Sequence, residues 1–345
     1  MKGISVIEID GGIGEGGGQM LRSSLTLSAL TGKPFRMVRI RANRPKPGLA
    51  AQHLEALLAM ARICDAEVEG ATLGSSEIVF RPKSLKGGEF EFEIKTAGSS
   101  LLLLQTVYLP LAFAGGGRVS IIGGTHTKWS PSYDYIRLVF SHFLEKVGLP
   151  LSLSLERAGY YPKGGGRITA EVPAVRSLSP LKLEKRGEMK RLFVFITLTS
   201  LPWHIAEREI STIQNRLKGF GKIEAEVVAP PATSPGNAVL LLCEFEDTVA
   251  GFAAVGEKGR AAEEVADEVA EEALSFLRSD GAVDARCADQ LLLPFATVEA
   301  ECSLSTNRLS EHIKTNIYTI SRFIEKKVEM FENENFSLVR LHERL

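Results

Sequence analysis

The chain has 345 residues, of which 44% are hydrophobic and 24% charged, and this balance is typical of a globular protein with one large domain or two. A formal net charge of −1 excludes a protein that coats nucleic acid non-specifically, although it permits a local basic groove. The four cysteines form no CxxC pair, and no apolar run resembles a signal peptide or could span a bilayer, so we expect reduced, buried thiols in a cytoplasmic protein.

Strands and helices alternate over the first 80 residues. Residues 4–10 alternate apolar and polar side chains, which predicts a half-buried strand. A glycine-rich stretch, Gly11 to Gly18, and a helix from Gln19 to Leu30 come next. The following elements are predicted as a strand at 35–41, a helix at 50–63, and short strands at 66–70 and 77–81.

The same order of elements then recurs with a period of about 80–85 residues. The second set is predicted as a strand at 90–95, a helix at 101–114, a strand at 118–122, a helix from Pro131 to Val147, and strands at 151–156 and 167–172. This recurrence predicts a repeated β-α-β-α-β-β unit, with chance likeness between two α/β stretches as the alternative.

A third copy of the unit is predicted to be split by an insertion. Its later part comprises a helix at 288–296, a strand at 298–303, a helix at 310–323, and strands at 326–330 and 336–340. Residues 185–282 have their own pattern of strands and helices. We therefore expect an α/β (α+β) fold in which residues 1–184 and 283–345 form a repeat-built domain and 185–282 an inserted α+β domain.

The glycine-rich stretch from Gly14 to Gln19 lies between a predicted strand and a predicted helix. Glycines there let the backbone approach a phosphate, and the helix N-terminus attracts an anion. No lysine follows as in a Walker A loop. Glu15 could bind magnesium, which uses one or two carboxylates together with phosphate oxygens. The alternatives are a tight turn and compensation of the helix dipole.

Basic residues follow this glycine loop. Arg22 lies on the helix, Arg39 and Arg41 are predicted to share one strand face, and Arg44 with Lys46 belongs to a proline-rich loop. Guanidinium groups bind phosphates bidentately, so this corner could hold a polyanion. Scattered, solvated arginines are the alternative. Gln52-His53 begins the next helix, where a histidine is more often structural than catalytic.

A second glycine-rich loop runs from Tyr160 to Arg167 and contains both aromatic and basic side chains. Aromatic faces can stack on bases, and lysine or arginine can meet phosphates. A β-hairpin connection between the strands at 151–156 and 167–172 is an equally good reading, and both can hold together.

His312 lies in the first turn of the helix predicted at 310–323. The positive helix end disfavours an imidazolium, so the ring keeps a free lone pair that can attack phosphorus. Asn316, four residues later, lies on the same helix face and could bond a phosphate or fix the ring. Taken alone, a structural histidine at a helix start is the alternative.

Taken together, these residues resemble the RNA 3′-terminal phosphate cyclases. The matching stretches run over nearly the whole chain and read GEGGGQMLRSSL (14–25), RANRPKPGL (41–49), TAGSSLLLLQT (96–106), GYYPKGGG (159–166), HIAERE (204–209), VGEKG (255–259), ADQLLLP (288–294) and EHIKTN (311–316). The resemblance implies repeat units similar to the C-terminal domain of translation initiation factor 3, and a thioredoxin-like insert.

The resemblance also implies a three-step reaction that uses ATP and Mg²⁺ or Mn²⁺. A histidine attacks the α-phosphorus of ATP and becomes histidine-AMP. The AMP passes to the 3′-phosphate of RNA, and the neighbouring 2′-hydroxyl then closes a 2′,3′-cyclic phosphate and releases AMP. RNA with a 3′-phosphate end is thus the implied partner. A homodimer is compatible with such an enzyme, although no interface can be recognised in the sequence.

The matched motifs imply roles for individual residues. His312 is the expected nucleophile and Glu15 the expected metal ligand. Arg286 stands where relatives often have an aromatic residue, although a guanidinium can also stack on adenine. The expected ATP contacts are Gln105, Arg286, Cys287, Ala288, Asp289, Gln290 and Asn316, and the expected substrate or phosphate contacts are Arg22, Arg41, Arg44 and Gln52.

Three other functions compete with this interpretation. A non-catalytic relative that acts in ribosomal RNA processing would lack the nucleophilic histidine. An enolpyruvyl transferase has a similar repeat but gives EHIKTN and GYYPKGGG no role. A binding module without chemistry is the third alternative. The presence of His312, Glu15 and Asp289 favours the enzyme over the non-catalytic relative.

Overall fold

A computed structural model describes residues 6–344, and its first element is a short strand that leads into the glycine loop. The first sheet has the strand order β1-β2-β4-β3, in which β1 and β2 are parallel and the other pairs antiparallel. Its elements are β1 (Ile7–Asp10), α1 (Gln19–Thr31), β2 (Phe35–Val38), α2 (Ala51–Cys64), β3 (Glu67–Glu69) and β4 (Ile78–Arg81).

The second sheet repeats this arrangement in the order β5-β6-β8-β7, with β5 and β6 parallel. Its elements are β5 (Gly88–Glu93), α3 (Ser100–Phe113), β6 (Gly117–Gly123), α4 (Tyr133–Tyr135), a π-helical turn (Ile136–Phe140), α5 (Ser141–Lys146), β7 (Ser152–Arg157) and β8 (Gly166–Val172). The helix predicted from Pro131 begins at Tyr133, because the Ser132 side chain caps it.

After the two-residue strand β9 (Lys182–Leu183), the chain builds a separate sheet of order β11-β10-β12-β13. Its elements are β10 (Met189–Thr199), α6 (His204–Arg216), β11 (Ile223–Val228), β12 (Gly236–Phe245), β13 (Val249–Val255) and α7 (Ala262–Leu277). One cluster of buried hydrophobic side chains lies entirely between Leu192 and Phe276, so these elements have a core of their own.

The chain then returns to β9. Its remaining elements are α8 (Ala285–Thr297), β14 (Cys302–Thr306), α9 (Glu311–Phe323), β15 (Lys326–Glu332) and β16 (Ser337–Arg344). Strand β14 is parallel to β9 and antiparallel to β16, which pairs with β15. This third sheet therefore has the order and strand directions of the first two, and a second, larger hydrophobic cluster joins all three.

The α+β class predicted from the sequence is confirmed, whereas two local predictions were wrong and one short strand was missed. The strand predicted at 298–303 is β14 at Cys302–Thr306, because Val298 ends α8. Strand β9 was not predicted, since two residues show no periodicity. Arg39 and Arg41 do not share a strand face, because β2 ends at Val38 and both residues have φ of 53°.

Two predictions made from composition can also be compared with the structure. All four cysteines are buried and unpaired, as expected. Within residues 6–344, no helix is long and apolar enough to cross a membrane. The likeness of the repeated units to the initiation factor domain, and of 185–282 to thioredoxin, stays a prediction.

Candidate active site

His312 lies in the first turn of α9 with both ring nitrogens in contact with side chains from the start of the chain. Ser310 begins the helix, and its hydroxyl accepts the backbone N–H of Ile313 at 3.2 Å. Nδ1 of His312 lies 2.6 Å from Oε1 of Gln19, and Nε2 lies 3.2 Å from Oε2 of Glu15. The ring is thus oriented by residues almost 300 positions away in sequence.

Gln19, the first residue of α1, determines which nitrogen of His312 carries a proton. Its amide nitrogen donates to Oδ1 of Asp289 at 2.5 Å and to the backbone oxygen of His312 at 3.1 Å. The amide oxygen must therefore face the ring, where it accepts a proton from Nδ1. In the neutral ring this would place the lone pair on Nε2, which here faces the Glu15 carboxylate at 3.2 Å and is free to react only once that carboxylate moves away.

Asp289, in α8, anchors this chain of hydrogen bonds. Its Oδ1 also accepts from Nδ2 of Asn316 at 3.1 Å, and Oδ1 of Asn316 accepts from the Ser23 hydroxyl at 2.7 Å. Burial raises the pKa of Asp289, while the neighbouring His312, Asn316, Gln19 and Arg22 oppose this rise. Asn316 shares the face of His312 as predicted, but it fixes Asp289 and not the ring.

The glycine loop approaches α9 so closely that no side chains fit at key positions. Gly14 has φ of 63°, and a Cβ there would overlap Oγ1 of Thr315 in α9. Gly16 has φ of 55°. This close approach brings the Glu15 carboxylate to Nε2 of His312, and the same carboxylate pairs with Nη2 of Arg44 at 3.3 Å.

Three arginines converge on His53, which lies in the first turn of α2. Burial, followed by the charges of Arg22, Arg41 and Arg44, lowers the pKa of His53 to about 3, so the ring is neutral at pH 7. Burial likewise lowers the pKa of Arg22 to about 10, against the opposing charge of Asp289. Among residues 6–344, no carboxylate lies within ion-pair distance of Arg22 or Arg41, whereas Arg44 pairs with Glu15, so two of the three arginines have no ion-pair partner.

Loop 39–48 also owes its shape to one of these arginines. Nη1 of Arg41 donates to the backbone oxygens of Lys46 and Gly48, at 2.9 and 2.8 Å. Arg39 turns away and pairs with Asp10 at 3.0 Å, while Lys46 is exposed. Of the two arginines that were predicted to share a strand face, Arg41 therefore belongs to the cluster around His53 and Arg39 does not.

A cavity of about 640 Å³, which is large enough for a nucleotide, opens beside His312. The predicted site residues that line it are Arg22, Gln105, Arg286, Asp289, Gln290, Asn316 and His312. Cys287 and Ala288 do not line it, because both side chains are fully buried in the core. Gln52 lies elsewhere and accepts the backbone N–H of Ser99 at 3.1 Å.

Sequence reasoning assigned no role to Gln19, which lines this cavity, or to Tyr135, which is buried behind the wall. Gln19 was quoted within a motif but given no role, and the only signal for it was its place directly after the glycine loop. Tyr135 lies under Arg286, whose guanidinium carbon is 5.2 Å from the ring centroid. The Tyr135 hydroxyl donates to Asp284 at 2.7 Å, which fixes the ring below Arg286.

The second glycine-rich loop connects β7 to β8, so the hairpin reading is confirmed. Tyr160 is buried and stacks on His126 with ring centroids 5.4 Å apart, whereas Tyr161 is 81% exposed. His126 is itself buried between Thr125 and Asp134, at 2.8 and 3.1 Å. Only Tyr161 of the aromatic pair is free to meet a base.

The HIAERE stretch forms the start of α6. Its Glu209 is fully buried against Asn237, and burial raises the pKa of this carboxyl to about 7. His204 is exposed at the first turn of the helix. Neither residue lies on the cavity beside His312.

Known proteins resemble the chain over nearly its full length. A curated RNA 3′-terminal phosphate cyclase from Salmonella enteritidis PT4 is 43% identical, covering 97% of this chain and 98% of that protein. Cyclases from Methanopyrus kandleri and Koribacter versatilis are each 41% identical. The match covers 95% of this chain and 96% of the Methanopyrus protein, and 99% of this chain and 97% of the Koribacter protein.

A solved enolpyruvyl transferase, NikO from Streptomyces tendae, is a far weaker match. The match covers 96% of this chain and 47% of the transferase chain, with 10% identity and a TM-score of 0.39. It is too distant to bear on fold or function. The family model described as RNA 3′-terminal phosphate cyclase, in contrast, matches residues 13–330. The chain belongs to the RNA 3′-terminal phosphate cyclase family.

Proposed function

We propose that the protein converts the 3′-terminal phosphate of RNA into a 2′,3′-cyclic phosphodiester at the expense of ATP, through histidine-AMP and RNA-adenylate intermediates. The observation that carries this proposal is the geometry of His312: Gln19 occupies Nδ1, and Nε2, which lies 3.2 Å from the Glu15 carboxylate, is the nitrogen that can react once Glu15 moves to a metal ion. Family membership supports the substrate class.

In the first step, Nε2 of His312 attacks the α-phosphorus of ATP. The N–P bond forms as the bond to the bridging oxygen breaks, and pyrophosphate leaves. The ring becomes a phosphorylated imidazolium whose Nδ1 proton stays on the hydrogen bond to Gln19. Asp289 lies behind Gln19 and stabilises this positive charge through it.

A divalent cation fits beside this atom in one specific way. The described residues contain no group of three metal-ligating side chains, so a protein-only cage is not available there. Glu15 is a single, half-exposed carboxylate on the glycine loop, and Mg²⁺ or Mn²⁺ is commonly held by one carboxylate plus phosphate oxygens. Such an ion, when bound, neutralises phosphate charge as pyrophosphate leaves. It would also draw Glu15 away from Nε2.

In the second step, an oxygen of the RNA 3′-phosphate attacks the phosphorus of histidine-AMP. The N–P bond breaks and its electron pair returns to Nε2. Arg22, Arg41 and Arg44 support this step, because their guanidinium groups converge close to His312, where they can bind the terminal phosphate, and only Arg44 of the three is in an ion pair. His53 stays neutral among them and adds no like charge to the cluster.

In the third step, the 2′-hydroxyl attacks the activated 3′-phosphorus and AMP leaves. A phosphate monoester is a poor electrophile until a good leaving group is attached, which is why the first two steps are needed. The closure is intramolecular and mainly requires orientation of the ribose. We assign the adenine to the part of the cavity around Arg286 and Gln290, where Arg286 offers a flat guanidinium for stacking.

The test of this function is covalent labelling. The protein is incubated with ATP carrying a labelled α-phosphate and with Mg²⁺ or Mn²⁺, and then denatured. We expect label on the protein that is labile to acid and stable to alkali, as in a phosphoramidate. His312→Ala should abolish the label. A variant that labels as well as the native chain would disprove the covalent mechanism.

The substrate is tested separately with two RNAs of one sequence. RNA that ends in a 3′-phosphate should gain a cyclic end, and RNA that ends in a 3′-hydroxyl should not. Equal reaction of both RNAs would contradict the assignment as a cyclase. Absence of any label and of any cyclic product would instead favour the non-catalytic relative considered above.

A further inference from the structure

Trp129 lies at the mouth of the cavity and is almost wholly exposed. Its side chain contributes to the cavity wall next to Ser130 and Pro131, yet 91% of the residue is accessible to solvent. An indole of this size is normally buried at least in part, since it gains more than any other side chain from leaving water. The exposure therefore requires a reason beyond folding.

The backbone of Trp129 is strained in a way that displays the ring. Its φ is 60°, in the left-handed region that bulky residues rarely adopt and that costs free energy to hold. The tight turn is fixed by the hydroxyl pair Thr127–Ser130 at 2.7 Å and by the bond from Ser130 to the backbone oxygen of Thr127 at 3.0 Å. Such strain concentrates at binding sites.

A lysine lies beside the ring, in an ion pair with a carboxylate that a strand phosphate could replace. Nζ of Lys128 lies 5.2 Å from the ring centroid and is held there by Glu257, 2.9 Å away. Lys128 thus contacts one side of the indole, and the rest of the ring remains accessible to a ligand. Proteins that bind single strands combine exposed aromatic rings with lysines in this way, because bases stack on the ring while the lysine meets the backbone phosphates.

We propose that Trp129 is the stacking platform for a nucleotide base of the RNA upstream of its 3′ end, and so positions the strand for the reaction proposed above, on which this inference rests. The 3′-phosphate must reach His312 inside the cavity, and the strand must leave through the mouth. Only an RNA strand that continues out of the cavity needs a contact as exposed as Trp129. The base of ATP is better served by the enclosed residues around Arg286.

The test compares Trp129→Ala with Trp203→Ala. Trp203 is the other tryptophan of the chain; it is also exposed, at 56%, but does not line the cavity. Trp129→Ala should raise the KM for 3′-phosphorylated RNA by about 5- to 100-fold, the usual range for one lost base stack. Self-adenylation with ATP alone should keep its rate and its KM. Trp203→Ala should change neither reaction.

A double-mutant cycle identifies the partner of the ring. Single abasic nucleotides are placed at successive positions upstream of the 3′ end of the RNA. At one position the abasic change should raise the KM for RNA of the native enzyme and leave the KM of Trp129→Ala unaffected. With intact RNA, Trp129→Phe should recover most of the affinity that Trp129→Ala loses. Fluorescence gives an independent readout, because in Trp203→Phe the sole remaining tryptophan is Trp129, and RNA should quench it.

Each outcome has one meaning. A raised KM for ATP in self-adenylation would place adenine on Trp129 and overturn the inference. An unchanged KM for RNA in Trp129→Ala would overturn it as well. A native enzyme that adenylates itself and cyclises RNA while Trp129→Ala behaves normally refutes the platform alone. A native enzyme that does neither refutes the proposed function.

Discussion

At the scale of single residues, Gln19 links the groups on which the proposed chemistry depends. One amide satisfies Nδ1 of His312 with its oxygen and Oδ1 of Asp289 with its nitrogen. No charged side chain could replace this amide. A carboxylate at position 19 would lie against the Asp289 carboxylate, and a cation would lie against the Nδ1–H of His312. The amide is the group that can do both.

Gln19→Leu should therefore slow self-adenylation by about 10- to 100-fold, the cost of a reacting group that is held loosely. Affinity for ATP should change less, because Gln19 acts through the His312 ring. The measurement is the single-turnover rate of labelling at saturating ATP. Gln214→Leu, the same change on an exposed face of α6, is the control and should leave the rate unaltered. An unchanged rate in Gln19→Leu would mean that the ring needs no orientation.

Sequence reasoning reached some of these residues and not others for a physical reason. His312 and Glu15 stand in local patterns, a helix start and a glycine loop, that can be read without the fold. The role of Gln19 depends on a partner 293 residues away, and no local pattern contains that information. Gln52 illustrates the opposite problem, since its motif implied a phosphate while its side chain bonds the backbone of Ser99.

At the scale of elements, helix α1 has a glycine at each end, and the two serve different purposes. Gly18 has an ordinary φ of −82°, but a Cβ there would overlap His53 and lie 2.9 Å from Nη1 of Arg22. Gly32 has φ of 68° and open space around it. One glycine makes room for the arginine cluster, and the other ends the helix.

Gly18→Ala and Gly32→Ala should therefore change different quantities, the first the KM for RNA and the second the stability of the fold. Gly18→Ala should displace His53 and Arg22 and raise the KM for 3′-phosphorylated RNA. Gly32→Ala should leave that KM unchanged and lower the free energy of unfolding by about 1–2 kcal/mol, the cost of a left-handed L-residue. Steady-state kinetics and denaturant unfolding measure the two effects. If both variants lose only stability, the arginine cluster does not bind the substrate.

Elements were predictable where the sequence marks their ends. Gly32 ends α1, Ser310 begins α9, and the alternation in β8 follows a glycine-rich turn. The errors arose where tertiary contacts decide. Strand β9 exists only because β14 lies beside it, and the left-handed turn at Arg39 and Arg41 is held by contacts with the loop that follows.

At the scale of the whole molecule, three sheets of one strand order contribute unequally to the candidate site. The first supplies the glycine loop and the arginines, and the third supplies Asp289 and His312 from α8 and α9. The second contributes Gln105 and the loop that carries Trp129. The recurrence was visible in sequence, but the way in which the sheets meet around one cavity depends on packing between distant segments.

The net charge of −1 leads to a last prediction, which concerns the salt dependence of RNA binding. A chain without excess positive charge attracts RNA only where its cations are concentrated, and the site offers three converging arginines. For single strands, the slope of log Kobs against log salt is about −0.7 per phosphate neutralised, so an arginine cluster that binds the one terminal phosphate should give a slope of about −1. Anisotropy of a labelled 3′-phosphorylated RNA between low and moderate salt measures it. The same RNA with a 3′-hydroxyl should bind more weakly and with a shallower slope. A slope steeper than about −5 would mean that a broad basic surface, and not this cluster, holds the RNA.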